Sequence, residues 1–392
     1  MAERRDQGLP HSPALDGVRG LAILLVLLLH HVGGVRLGPL GSPLKAGWIG
    51  VDLFFVLSGL LITRILLHER GRPGYFKRFY ARRALRIWPL YTVVFLFAWL
   101  LAWRIPSSAL AYEFPASHVV AYALYLQNIA LPGAYGPWPL TITWSLAVEE
   151  QFYVAWPLLV MLLPERALRR FLWVVVVAMP VVRWAALAAG ATPLAVYMHT
   201  GCRLDGLAVG ALLAMAGPAG FRRARWGVLL LPVACALIWS PLVNGHEVLQ
   251  RVVPIGGVEL VTAGGIYTLL ALGFGGVLAL VLGDGVPAAR ALFSVRALRW
   301  LGTRSYGLYL YHGITVQLTQ AVLRPWLLGR LEDRMAANLT GLALSVAGLL
   351  LLSELSFRFF ERPLLALRSR FEPARADSLR AEPLPAYDRA PS

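Results

Sequence analysis

Residues 15–31 read LDGVRGLAILLVLLLHH, and the rest of the chain is best understood outward from this stretch. It is an apolar run of lipid-spanning length that carries a guanidinium near one end and two imidazoles at the other. Arg19 and His30 are eleven residues apart. At about 100° per residue this is roughly three turns plus 20°, so the two side chains share one helix face. They are separated by about 16 Å along the axis, near half the thickness of a hydrocarbon core. Ionisable groups at such depth are expensive, which makes a functional role the default. The alternative is an arginine that snorkels to the cytoplasmic surface and a structural histidine bonded to a neighbouring helix.

Composition agrees with a membrane chain. Of 392 residues, 58% are hydrophobic and 15% charged, and mean hydropathy is +0.62. Soluble domains carry about 25% charged residues. The net charge of +16 does not point to nucleic acid, because the cations lie in short clusters between apolar runs, as membrane topology produces. Cys202 and Cys235 are isolated and form neither a disulfide framework nor a zinc motif. Arg4 and Arg5 precede the first apolar run, but that run ends in histidines rather than a small-residue cleavage site. It is therefore expected to remain as an uncleaved first helix.

Apolar windows predict an all-α polytopic bundle of about ten transmembrane helices, near residues 15–35, 47–68, 87–104, 143–163, 171–189, 204–217, 227–243, 260–283, 303–325 and 337–360. Arginine-rich loops alternate with poorer ones. Arg70 to Arg86, Arg166 to Arg170, Arg222 to Arg225 and Arg290 to Arg299 mark one side. This alternation predicts both termini in the cytoplasm. Residues 74–91 read as an amphipathic interfacial helix leading into the third span. The connection 105–142 is the longest outside the membrane and a candidate acceptor-side lid. The transmembrane domain is expected over 1–363, with Pro363 stopping the last helix and a disordered cytoplasmic tail over 364–392.

Within these spans lie His30, His31, Asp52, Ser58, Glu149, Glu150, Arg203, Asp205, His312 and Glu354. At about 2.5–3.5 kcal/mol each at mid-bilayer, such groups must face one another or a wet cavity. For Asp52 and Glu354 an ion pair that fixes helix register serves as well as chemistry. Gly59 after Ser58, and Gly206 with Gly210, offer faces for close helix packing.

The motifs LDGVRGLAILLVLLLHH, GVDLFFVLSGLLI, Arg83-Ala-Leu-Arg86, WSLAVEEQFY, RLDGLAVGALLA, SYGLYLYH and FRFFERP, in that order over residues 15–363, resemble the membrane-bound acyltransferase 3 family of bacterial O-acyltransferases. The resemblance implies about ten spans, an acyl-CoA donor at the cytoplasmic side and transfer to a hydroxyl, often of an envelope sugar. It implies that Arg19 and His30 are catalytic and that Arg83 and Arg86 serve the donor. In many relatives an aromatic-proline step follows the ninth-span histidine, whereas His312 precedes Gly313-Ile314-Thr315. Larger relatives append an extracytoplasmic SGNH-type domain. This chain is expected to be the stand-alone form, similar also to members that acylate secondary metabolites such as macrolides.

The expected reaction is direct transfer in the cell membrane. Acyl-CoA phosphates lie among Arg78, Arg82, Arg83 and Arg86. His30 takes the acceptor hydroxyl proton, Glu149 or Glu150 orients an imidazole or the acceptor, and Arg19 holds the donor or the developing oxyanion. Ser58, Trp144, Ser145, Arg203, Asp205 and His312 complete the expected substrate-binding set. No permanent cofactor or metal is expected. The partners are acyl-CoA, a sugar, glycan or metabolite hydroxyl, and the bilayer. A covalent route through Ser58 or Ser145 is an alternative. So are a transporter or flippase with a buried proton relay, and the unrelated membrane-bound O-acyltransferase fold, in which His312 would outrank His30.

Overall fold

The computed structural model describes residues 12–32, 45–104, 115–131, 138–239, 257–283 and 286–371. Among these residues every regular element is helical. The first apolar run forms α1 (Pro13–Leu27), followed without a break by a π-helical turn, Leu28–Val32. Next come α2 (Ile49–Glu69), α3 (Tyr75–Arg104), α4 (Trp144–Leu162) and α5 (Glu165–Ala188). The second half contains α6 (Leu204–Ala214), α7 (Gly257–Leu282), α8 (Arg296–Thr303), α9 (Ser305–Leu318) and α10 (Arg334–Ser356).

Six helices among the described residues are long and apolar enough to cross a bilayer: Pro13–Val32, Lys45–Glu69, Tyr75–Leu100, Glu165–Ala188, Gly264–Leu282 and Arg334–Ala366. Two of the other predicted windows are realised as shorter or carboxylate-bearing helices, namely α6 and α4. The window 303–325 is divided into α9, a π turn at Thr319–Leu323 and a short helix at Arg324–Leu328. The molecule is a multi-pass membrane protein, and its surface shows why. Val174, Val177 and Val181 on α5 are each more than 60% exposed. Their spacing gives one apolar stripe that only lipid would solvate favourably.

Glycine sets the helix spacing. A Cβ at Gly59 of α2 would collide with the Leu207 carbonyl of α6, and one at Gly210 of α6 with the Val56 carbonyl of α2. The two backbones therefore meet where the sequence placed small residues. Gly17 and Gly20 of α1 in the same way admit the Phe293 and Leu298 carbonyls, seating α8 against the amino end of α1.

Three local expectations differ from the structure. Residues 74–91 are not a separate interfacial helix. They are continuous with the third span in the 30-residue α3, with Pro89 inside it. Pro363 does not end the last helix, because a π turn at Phe357–Glu361 precedes it. The proline then occupies the start of a new turn, Arg362–Ala366, where its missing N–H is not needed. Residues 364–371, assigned from sequence to the tail, are helical through Leu367–Phe371. The remainder of the tail, and parts of the 105–142 connection and the 227–243 window, lie outside the described residues.

Candidate active site

A cavity of about 400 Å³ opens among α1, α2, α3, α4 and α9. The charged residues in its lining include Asp16, Arg19, Arg64, Arg83 and Arg86. Arg19 lies 3.5 Å from Asp16. Arg83 stands over the Tyr153 ring at 5.0 Å and Arg64 over Phe221 at 5.9 Å. Neither these two nor Arg86 has an ion pair with another described residue. Guanidiniums without an ion pair, lining a concave site, have the chemistry to receive a phosphate-rich anion.

Arg78 and Arg82, grouped with this set from sequence, are engaged elsewhere. Both contact Glu69, Arg78 Nη2 at 2.6 Å and Arg82 Nη2 at 3.5 Å, and neither lines the cavity. What separates the two groups is Glu69 at the carboxyl end of α2, which holds Arg78 and Arg82 away from the cavity that Arg83 and Arg86 line.

The same cavity is also rich in hydroxyls. Ser58 Oγ and Tyr153 OH are 2.5 Å apart, and Ser145 Oγ and Tyr309 OH are 2.7 Å apart. The Tyr309 hydroxyl also donates to the Ile142 carbonyl. Glu149 lines the same wall. Its neighbour Glu150 points away, accepting from Trp88 Nε1 at 3.2 Å, because consecutive helical side chains diverge by about 100°. Trp144 is buried outside the cavity, against Phe55 and Tyr197 with ring centroids at 6.1 and 4.5 Å.

The histidines occupy a different place. His30 and His31 sit on the π turn that ends α1 and border a small niche with Gln320, Arg324, Asn338 and Ser345. Arg19 and His30 therefore do not line one cavity. The axial separation is large, and the π turn alters the phase that eleven α-helical residues would have preserved. Between niche and cavity packs His312, fully buried on α9 and lining neither. Its ring is 4.9 Å from His30 and 5.5 Å from Tyr309. Nδ1 of His30 lies 2.9 Å from the Val26 carbonyl, and Nδ1 of His312 lies 2.6 Å from the Tyr309 carbonyl. A carbonyl only accepts, so each Nδ1 carries the proton and each Nε2 the lone pair. His312 Nε2 has no hydrogen-bond partner among the described residues.

Arg203 and Asp205 are not at the cavity. Arg203 Nη2 bonds Asp52 Oδ1 at 2.7 Å and stacks over Tyr267 at 4.0 Å. Asp205 Oδ2 takes Arg183 Nη1 at 2.9 Å and the Thr268 hydroxyl at 2.6 Å. Arg183 was overlooked in sequence although it interrupts an apolar run, and all its nitrogens are engaged, by Gly264, Cys202, Asp205 and Thr268. Glu354 is likewise an ion-pair partner, of Arg304 and Arg358. The aromatic hydroxyls Tyr153 and Tyr309 were also missed, since nothing in the pattern separates a cavity tyrosine from a packing one.

The acyltransferase domain family matches residues 12–354, most of the chain. The chain belongs to the acyltransferase 3 family. Over 391 residues it is 30% identical to the peptidoglycan O-acetyltransferase OatA of Listeria monocytogenes, covering 90% of this chain and 56% of the relative. It is 29% identical to the putative peptidoglycan O-acetyltransferase YrhL of Bacillus subtilis, covering 90% and 55%. It is 28% identical to the O-acetyltransferase OatA of Staphylococcus aureus, covering 77% and 50%. The chain thus spans about half the length of these curated relatives. No solved structure matches it.

Proposed function

We propose that this acyltransferase 3 chain is an integral membrane O-acyltransferase. It moves an acetyl or similar short acyl group from acyl-CoA to a hydroxyl of a cell-wall glycan. The single observation that carries this reading is the lining of the large cavity. Guanidiniums without an ion pair among the described residues stand beside paired hydroxyls and Glu149, which suits a donor with both phosphates and a thioester. The topology that goes with it has about ten crossings and both termini in the cytoplasm, so that Arg83 and Arg86 meet cytoplasmic acyl-CoA.

In this reading Arg83 and Arg86 hold the nucleotide phosphates and Arg19 neutralises charge deeper in the cavity. The thioester carbonyl lies near Ser58, Ser145 and Glu149. The acceptor approaches from the niche. His30 removes its hydroxyl proton, the alkoxide oxygen attacks the thioester carbon, and the C–S bond breaks to release CoA thiolate, which regains a proton. His312 and Tyr309 bridge the two compartments and position His30 relative to the donor. The serines bond tyrosines, not imidazoles, which favours direct transfer over an acyl-enzyme. The similarity to peptidoglycan O-acetyltransferases favours a glycan acceptor over a macrolide, and the family favours acyl transfer over transport.

The test is release of free thiol from acetyl-CoA by the purified chain in nanodiscs. Soluble peptidoglycan fragments and a macrolide are offered as alternative acceptors. Thiol release stimulated by the fragments supports the proposal. Release with the macrolide alone rejects the glycan, and no release with any acyl-CoA rejects the donor.

A further inference from the structure

Beside the large cavity lies a second one of about 300 Å³, and the two share Asp16, Arg19, Arg86, Ser305 and Tyr306. Its remaining cation, Arg368, comes from the helical turn Leu367–Phe371 beyond the last long helix. Arg368 has no ion pair or hydrogen bond among the described residues, and its Nε is sealed from solvent without a partner. Burial, then Arg86, Arg83, Arg82 and Arg19, pull its guanidinium down to about 9, which leaves it cationic at neutral pH. Of the two carboxylates in the chamber's lining, Asp16 lies 3.5 Å from Arg19, and neither it nor Glu361 forms an ion pair with Arg368. Glu361 accepts from Ser356 at 3.2 Å and faces the amino end of α9, where a Cβ on Gly307 would lie 2.9 Å from its Oε1. The chamber holds three guanidiniums against two carboxylates, and Arg86 and Arg368 have no ion pair among the described residues, so an entering anion would neutralise a residual positive charge.

We propose that this second chamber is a phosphate subsite, separate from the Arg64–Arg83 wall of the large cavity, with Arg368 as its dedicated cation. The phosphate has two chemical sources. One is the 3′-phosphate of the donor nucleotide, which rests on the acyl-CoA reading above. The other is the headgroup of an anionic lipid, because Leu85, Phe360 and Leu365 also line the chamber and would accommodate an acyl chain. Because the last turn packs on α3, it closes the chamber only after the final helix has folded back. The subsite therefore couples the chain's end to the donor side of the bundle.

The experiment compares wild type, Arg368→Ala and Arg368→Lys in nanodiscs, first in neutral phosphatidylcholine with CoA and 3′-dephospho-CoA as ligands. A second arm follows thermal stability as phosphatidylglycerol is added. If the nucleotide is the source, wild type binds CoA about tenfold or more tighter than 3′-dephospho-CoA. Arg368→Ala abolishes that preference and Arg368→Lys retains part of it. If lipid is the source, CoA and 3′-dephospho-CoA bind alike, and phosphatidylglycerol stabilises wild type but not Arg368→Ala. Absence of CoA binding in every protein overturns the donor reading and leaves the lipid arm to decide the subsite. If Arg368→Ala changes neither arm, the proposal is overturned.

Discussion

The rings of His30 and His312 stand 4.9 Å apart at an interplanar angle of 49°, although one ends the first helix and the other lies within α9. Each ring donates through Nδ1 to a carbonyl of its own helix, so both are held in the tautomer whose Nε2 is basic. This contact packs the residues of the niche against α9, whose Tyr309 lines the large cavity.

His30→Ala is expected to lower turnover by about 10²–10⁴, the usual worth of a general base, with membrane abundance unchanged. Turnover and abundance measured on the same preparations check this. Full activity in the variant removes His30 from the chemistry. Loss on His312→Ala alone, with His30→Ala active, reverses their roles.

Arg83→Ala and Arg86→Ala are each expected to raise KM for acetyl-CoA by about 10- to 100-fold, the loss of one charge-assisted hydrogen bond to phosphate. Lysine at either position recovers only part of it, because the bidentate fork is lost. Arg78→Ala, whose guanidinium is taken by Glu69, leaves KM unchanged. Initial-rate kinetics with varied donor distinguish the three.

Arg183→Met is expected to reduce folded protein sharply. Removing one partner from a buried pair costs about 3–5 kcal/mol, and Asp205 would be left with only the Thr268 hydroxyl and the Gly206 N–H. The double variant Arg183→Met with Asp205→Leu recovers most of the stability. Thermal unfolding in detergent measures both. An Arg183→Met protein that is stable but inactive would instead give this pair a catalytic role.

Gly59→Leu is expected to abolish assembly, since even a Cβ there meets the Leu207 carbonyl. Gly59→Ala is the milder probe and lowers stability by about 1–3 kcal/mol. Fluorescence-monitored gel filtration of both variants reads the effect.

The sequence revealed the helices because a lipid-facing apolar run needs no partner to be recognised. The stretch 15–31 and the Gly206/Gly210 pair both appear as read. Arg19 and His30 share a helix face by residue count yet line different cavities, and the π turn at Leu28–Val32 has no signature in a string of leucines. The π turns at Thr319–Leu323 and Phe357–Glu361 were equally silent, and each borders a chamber. Charge partners were legible as a need but not as pairs. Asp52 with Arg203, and Asp205 with Arg183, are chosen by how α2, α5 and α6 pack, which no periodicity encodes. Arg368 was hidden because a proline-rich, arginine-rich tail gives no sign that its first turns fold back onto α3.

The most direct test of the account is an electron cryo-microscopy structure of the chain in nanodiscs with a non-hydrolysable acetyl-CoA analogue. The account predicts phosphate density against Arg83 and Arg86 and the acyl carbon beside the Ser145–Tyr309 pair. Nucleotide density at the histidine niche, or a large cavity left empty under saturating analogue, would contradict it.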